Sequence, residues 1–348
     1  MTYKLELTDE QEQRASALHS SSTVVDCSIV VKYEDEFFER ARTGGVSAVN
    51  HTVPRAGKSF HEGILQVNQC RRWITANHDQ CVLVTSVGDI QAAKEAGKVG
   101  IILGPQDPSW MERSLDHLDI FYALGLRIMQ LTYQRRGLLG DGCGERTDGG
   151  LSYFGIDTIR HMNELGLLID LSHCGWKTTA EAIEVSQDPV VFTHSHPYSL
   201  TPHIRNKNDD LIRALAEKGG VIGISNYSPI AALAPGKRPS VLDVVTHIDH
   251  VVDLVGIDHV GLGLDVDEHL TPDSPARYEK PAFPELRRYT DGSGTFAYDE
   301  IWAEGLGSIA RFPEITRALV SRGYPDDAIK KILGENFLRV FGQVWHVG

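Results

Sequence analysis

The sequence predicts an α/β protein built as a single (β/α)8 TIM-like barrel of the metal-dependent hydrolase type. Three observations lead there. Short apolar runs alternate with amphipathic stretches of helix length along the whole chain, the pattern of repeated βα units. No shift in composition divides the 348 residues, so 1–348 reads as one domain without internal repeats. Two apolar runs, 167–173 and 189–195, flank about one helix of sequence and each closes on a histidine. Parallel strands joined this way bring His173 and His194 to one mouth of the sheet, where barrel enzymes build their sites.

The elements follow in order. Thr8 with Gln11 makes a capping-box spacing and starts a helix over 8–20. Residues 24–31 form a buried strand carrying polar Asp26, Cys27 and Ser28. A short helix over 37–43 stops at Gly44 and Gly45, and a strand follows at 46–53. Over 62–77, Ile64, Val67, Trp73 and Ile74 share one helical face. Strand 81–85, helix 87–96 closed by Gly97 and strand 99–104 come next. Residues 109–124 read as one helix and 127–133 as a strand. The glycine- and charge-rich stretch 135–150 reads as a loop over the mouth. A helix over 154–165 enters the first histidine strand. Beyond the second lie helix 208–218, strand 220–225, helix 241–255 and the glycine-rich strand 259–267. Prolines and glycines break 270–295 into a long loop or lid. Helices over 314–322, 326–334 and 335–341 close the chain. Nine strand candidates are one too many for eight staves, and 81–85 is the accessory one.

Composition bounds the function. A hydrophobic share of 41% with 23% charged residues is ordinary for a soluble globular protein. A net charge of −13 argues against a nucleic-acid partner, which needs a basic footprint. No apolar run approaches the roughly 20 residues of a membrane helix, and the first residues do not read as a signal peptide. Five cysteines without CxxC spacing suit a reducing compartment, so the expectation is a cytoplasmic protein acting on a small molecule. A homodimer is the common form among soluble oligomers.

Polar groups at strand C-termini are the candidates for chemistry. They are Asp26, Cys27 and Ser28 on the first strand, Gln106 just past the run from Val99, and then Tyr133, His173, His194, Asn226, Asp265 and Asp267. Two imidazoles with an aspartate and an amide suit one transition metal, most often zinc. The candidate metal ligands are His173 and His194, with Gln106 or Asp265 beside them. Asp265 either binds the ion or takes a proton from water; a turn or helix-cap aspartate is the competing reading. His196 precedes Pro197 and reads as loop. Arg205 either binds a substrate carboxylate in bidentate fashion or solvates its loop.

Several segments resemble the membrane (renal) dipeptidase family, peptidase family M19 of the amidohydrolase superfamily. They are Gly149-Gly150-Leu151-Ser152, Met162-Asn163-Glu164-Leu165-Gly166, Asp170-Leu171-Ser172-His173, Thr193-His194-Ser195, Arg205-Asn206-Lys207-Asn208-Asp209 and Gly256-Ile257-Asp258-His259-Val260-Gly261-Leu262-Gly263. The resemblance runs from Asp26 to Gly334-Glu335-Asn336-Phe337. It implies a TIM-like barrel, usually with two zinc ions, that hydrolyses dipeptides, and an Arg205 that binds the substrate carboxylate. The departures are specific. Where the family's first strand carries Asp-Gly-His-x-Asp, this chain reads Asp26-Cys27-Ser28-Ile29-Val30. The bridging glutamate aligns with Gln106, and a histidine that helps polarise the substrate carbonyl aligns with Tyr133. Two neighbouring Zn²⁺ ions need anionic ligands between them, so the expectation is one ion rather than two.

The leading expectation is a dipeptidase-like metallohydrolase of a small carboxylated substrate. In it His173 and His194 bind zinc, Asp265 handles the water proton, and Tyr133 polarises the carbonyl. Arg205 and Asn226 meet the substrate, and Asp26 is a further proton-transfer group. The competitors are a metal-independent lyase or isomerase on the same scaffold and a catalytically inactive binding protein.

Overall fold

The computed structural model describes residues 4–270, 296 and 298–345. Among these, ten strands pair in parallel: β1 (Val24–Val30), β2 (Val46–His51), β3 (Cys81–Leu83), β4 (Val99–Leu103), β5 (Ile128–Gln130), β6 (Leu168–Asp170), β7 (Val191–Ser195), β8 (Val221–Ile224), β9 (Val260–Leu262) and β10 (Val266–Asp267). They form two five-stranded sheets, ordered β10-β1-β2-β4-β3 and β5-β6-β7-β8-β9. The sheets meet on both sides. At one seam a parallel bridge joins Leu103 to Leu126, and the Arg127 N–H donates to Leu103 O at 3.1 Å. At the other, β9 pairs with β8 while β10, only a few residues further along the same run, pairs with β1. The strands thus follow one another as the eight staves of a parallel barrel, with β9 and β10 together as the last. As the sequence predicts, β3 lies outside this order, at the edge of β4.

The strands are short and buried along most of their length, as expected where helices cover a parallel sheet. At the end where the strands begin, Val25, Ala48, Ile128, Leu168, Val191 and Val221 pack with Phe337, Phe341 and Trp345 of the C-terminal segment. That helix, Asn336–Val344, plugs the lower end of the fold and leaves the opposite end for the site. Gly263 permits close packing at the upper end, since a Cβ there would lie 1.9 Å from the Thr193 carbonyl oxygen.

Several elements differ from the sequence reading, the first histidine strand among them, which is only Leu168–Asp170 rather than 167–173. Residues 109–124 are a 3-10 turn, Ser109–Met111, and a helix, Leu115–Ala123. Asp107 accepts the Ser109 N–H and closes the turn early, and Glu112 then takes φ 53°. The strand over 127–133 is only Ile128–Gln130, and Gln134 lies at φ 65°. The strand over 259–267 breaks because Asp265 adopts φ 60°. The loop 135–150 is pinned to the first histidine strand by the Cys143 N–H, which donates to His173 O at 2.8 Å. Apart from Leu270, the segment 270–295 read as a lid lies outside the described residues.

Candidate active site

The two histidines meet at the end of neighbouring strands. His173 follows β6 and His194 lies in β7, and their Nε2 atoms are 2.9 Å apart in a buried setting. Burial pushes both imidazoles well below the usual histidine range, and the nearby Arg205 guanidinium pushes them further. Both are therefore neutral, the form that binds metals. The Tyr133 ring lies 4.5 Å from the His173 ring, centroid to centroid.

Asp265 sits beside this pair, its Oδ1 3.9 Å from His194 Nε2. Its left-handed backbone turns the side chain inward between β9 and β10. Burial raises its carboxyl to about 6, against the lowering effect of Arg205 and the Ser28 hydrogen bond. Asp26 lies beneath, fully buried, with Oδ1 accepting the Leu264 and Ser28 N–H groups and Oδ2 without a hydrogen-bond partner. Burial pushes it up to about 7.

Gln106 faces the first strand. Its Nε2 donates to Ser28 Oγ and to Thr52 Oγ1, each at 3.2 Å, and Ser28 Oγ donates to Asp265 Oδ1 at 3.1 Å. A chain of neutral donors therefore links β1, the end of β2 and the end of β4 to the Asp265 carboxylate at the rim.

Arg205 is buried under the imidazoles. One Nη donates to Ser172 O and the other to His194 O, the latter at 2.8 Å. Close by, Lys207 is buried without a carboxylate in its hydrogen bonds; its Nζ donates to Cys174 O at 2.7 Å and Thr179 Oγ1 at 3.1 Å. Burial brings it down to about 8. Two buried cations thus lie behind the histidines, a field that favours anionic ligands.

The structure groups His173, His194, Asp265, Gln106, Arg205 and Tyr133 at one end, with Asp26 directly below. Asn226 is fully buried, and its Nδ2 donates to Leu306 O at 2.6 Å, anchoring the later chain. His196 lies with His247, ring centroids 4.2 Å apart, rather than with His194's partner. The sequence reading passed over Asp170, Thr193, Thr52 and Lys207. The signal for Asp170 was available, because a carboxylate inside a buried apolar run demands partners.

The two imidazoles suit a single zinc ion. Tetrahedral coordination at 2.0–2.1 Å sets two ring nitrogens about 3.3 Å apart, so His173 and His194 fit one ion after opening by a few tenths of an ångström. Asp265 is the acidic neighbour for that ion. Among the described residues no three His, Cys, Asp or Glu side chains already converge into a cage. Nor do Ser28, Val30 and Gln106 themselves supply a second site, since none of the three carries an acid or an imidazole.

The profile of the family described as Membrane dipeptidase (Peptidase family M19) matches residues 14–274 and 293–348. The chain is 28% identical over 288 residues to the dipeptidase tcpJ of Claviceps purpurea, covering 82% of this chain and 60% of that protein. It is 30% identical over 315 residues to the dipeptidase aclJ of Aspergillus oryzae, covering 89% and 66% respectively. It therefore spans about three fifths of the length of the first of these relatives. The crystal structure of an amidohydrolase from Pseudomonas aeruginosa, 33% identical, superposes with a TM-score of 0.85 over 95% of this chain and 99% of that one. No described helix is long and apolar enough to cross a membrane. With the family profile spanning nearly all of the barrel and every strand end that forms the mouth, the chain belongs to the membrane dipeptidase family, peptidase family M19.

Proposed function

We propose that this chain hydrolyses an amide or peptide bond in a small carboxylated substrate, as a dipeptidase-type metallohydrolase working with one metal ion rather than two. The observation that carries the one-ion reading is the Ser28–Gln106–Thr52 network. Where the family resemblance implies a bridging acid, Gln106 turns an amide N–H₂ toward two hydroxyls. A donor in that place repels a cation, and Ser28 and Val30 supply no anionic ligand.

His173 and His194 would hold the ion through Nε2, with Asp265 at its side. When bound, zinc polarises the scissile carbonyl and acidifies water. Asp265, raised to about 6, is suited to accept a proton from water and return it to the leaving amine. Asp26, raised to about 7, keeps its proton more readily and leaves Asp265 as the charged group on that wall. Tyr133 donates its hydroxyl to the carbonyl oxygen as charge develops there. Arg205 and Lys207 draw the substrate carboxylate to the mouth, and Asn226 steadies the wall around it. The whole chain is read as one such domain, acting in the cytoplasm on a small molecule.

The test is metal analysis of protein purified without chelator, joined to kinetics of His173→Ala and Asp265→Asn on a dipeptide panel. The expected result is about one ion per chain and a loss of at least about 100-fold in kcat/KM for each variant, the scale of lost acid–base catalysis. Metal below about 0.2 per chain, given how tightly such sites bind, with both variants fully active, sinks the reading. A metal-independent lyase or isomerase is the second reading, favoured by the lack of a ready-made three-ligand cage among the described residues. It predicts turnover that survives exhaustive chelation.

A further inference from the structure

Behind His194 lies a hydrogen-bond chain that the proposed chemistry has not used. Asp170, at the end of β6, receives four donors. Its Oδ1 accepts the Ser172 N–H at 2.9 Å, the Ser172 hydroxyl at 2.5 Å and the Thr193 N–H at 3.0 Å. Its Oδ2 accepts the Thr193 hydroxyl at 2.7 Å. All these groups are buried. Thr193 Oγ1 in turn lies 2.7 Å from His194 Nδ1.

A hydroxyl carries one proton. Thr193 gives its proton to Asp170, so toward His194 its oxygen can only accept. His194 Nδ1 must therefore carry the ring hydrogen, and Nε2 is left as a lone pair that accepts from His173 Nε2, 2.9 Å away. Ser172 fixes the other side of the same ring's residue, since its Oγ accepts the His194 backbone N–H at 3.1 Å. His173 has no such support; its Nδ1 is buried without a hydrogen-bond partner.

We propose that Asp170 and Thr193 are positioning residues that lock His194 in the Nδ1–H tautomer, making it the preset metal ligand of the pair. Carboxylate or hydroxyl partners behind a ligating histidine set its tautomer and raise its basicity. Here the carboxylate acts through one intervening hydroxyl, contributed by the residue next to the histidine itself. The dependence of metal affinity on this relay rests on the one-ion reading above; the tautomer does not.

The experiment separates the two. Ring-nitrogen NMR on ¹⁵N-histidine protein held in chelator reads the tautomer without metal. Wild type is expected to show His194 with Nδ1 protonated and Nε2 bare. Thr193→Val is expected to lose that preference, and Thr193→Ser, which keeps the hydroxyl, to restore it. Competition with a chromophoric chelator then reads zinc affinity. Thr193→Val and Asp170→Asn should each weaken it about 10- to 100-fold, with Thr193→Ser close to wild type. A bare Nδ1 on His194 in wild type overturns the proposal. So does a Thr193→Val protein that keeps the wild-type tautomer. Should Thr193→Val fail to fold, the wild-type and Thr193→Ser spectra decide. If wild type takes up no zinc, the one-ion reading falls, and the relay stands or falls on the ring-nitrogen spectra alone.

Discussion

Replacing Gln106 with glutamate puts a second carboxylate beside Asp265, and the structure says what that does. Gln106 Nε2 now gives hydrogen bonds to Ser28 and Thr52, and Ser28 gives its own proton to Asp265. A glutamate donates neither bond. Thr52 can rotate to satisfy it, but Ser28 has one proton and two acids claiming it. Because Gln106 Nε2 and Asp265 Oδ1 lie 3.2 and 3.1 Å from the same Ser28 oxygen, the new charge falls within about 6 Å of Asp265. At an effective dielectric of about 20, two such charges repel by about 3 kcal/mol. Losing a net hydrogen bond adds about 1 kcal/mol. Gln106→Glu should therefore cost about 4 kcal/mol of stability in chelator at pH 8, read as a fall in Tm of roughly 5 °C or more for a chain of this size. At pH 5 one of the two acids takes a proton, and most of the loss should vanish. Zinc should not restore a two-ion centre, because Ser28 and Val30 remain as they are. An unchanged Tm at pH 8, or a loss that persists in full at pH 5, refutes the network and the charge argument built on it.

Further outcomes follow from the same geometry. Arg205→Lys cannot span the Ser172 and His194 carbonyls with one ammonium, so it should lose about 2 kcal/mol of stability in urea melts and raise KM for carboxylated substrates. Asp26 is raised to about 7 in the folded chain, so between about pH 4 and 7 the unfolded chain has released a proton that the native state keeps. Stability from this group is therefore full at low pH and declines as pH rises through that window, by at most about 4 kcal/mol. Asp26→Asn should flatten this part of the pH–stability curve, and an unaltered slope counts against the burial argument. Lys207, lowered to about 8, works in the opposite direction: relative to Lys207→Met, wild type should gain stability between about pH 8 and 10. Gly263→Ala drives a Cβ into the Thr193 carbonyl and should abolish soluble expression or shift the β7–β9 contact enough to remove activity.

Much of the frame was legible in the sequence because it rests on local periodicity. The βα alternation, the capping pair at Thr8 and Gln11, the accessory standing of β3 and the neighbouring ends of the two histidine strands all follow from patterns within a few residues. Two of the elements that differed depend on single backbone angles. Neither Glu112 nor Asp265 advertises a positive φ, and each breaks a run that periodicity would continue. The polar network was legible only as a list of residues. Ser28 lies in β1 while Thr52 and Gln106 follow β2 and β4, and which hydroxyl gives its proton to which neighbour is a property of their packing. Lys207 shows in sequence only as one charge in the run from Arg205 to Asp209. Its burial comes from the loop folding back under β6 and β7, which no local pattern records.

The backbone at Asp265 narrows what could ever occupy that place. A left-handed conformation is easily reached by glycine, asparagine and aspartate and resisted by longer or branched side chains. Of those three only aspartate carries an acid. The rim carboxylate beside His194 is therefore fixed in length as well as in charge, and lengthening it to glutamate trades a relaxed turn for a strained one while carrying the oxygens past the imidazole they now face. A bend in the main chain thus decides the chemistry that the position is able to offer.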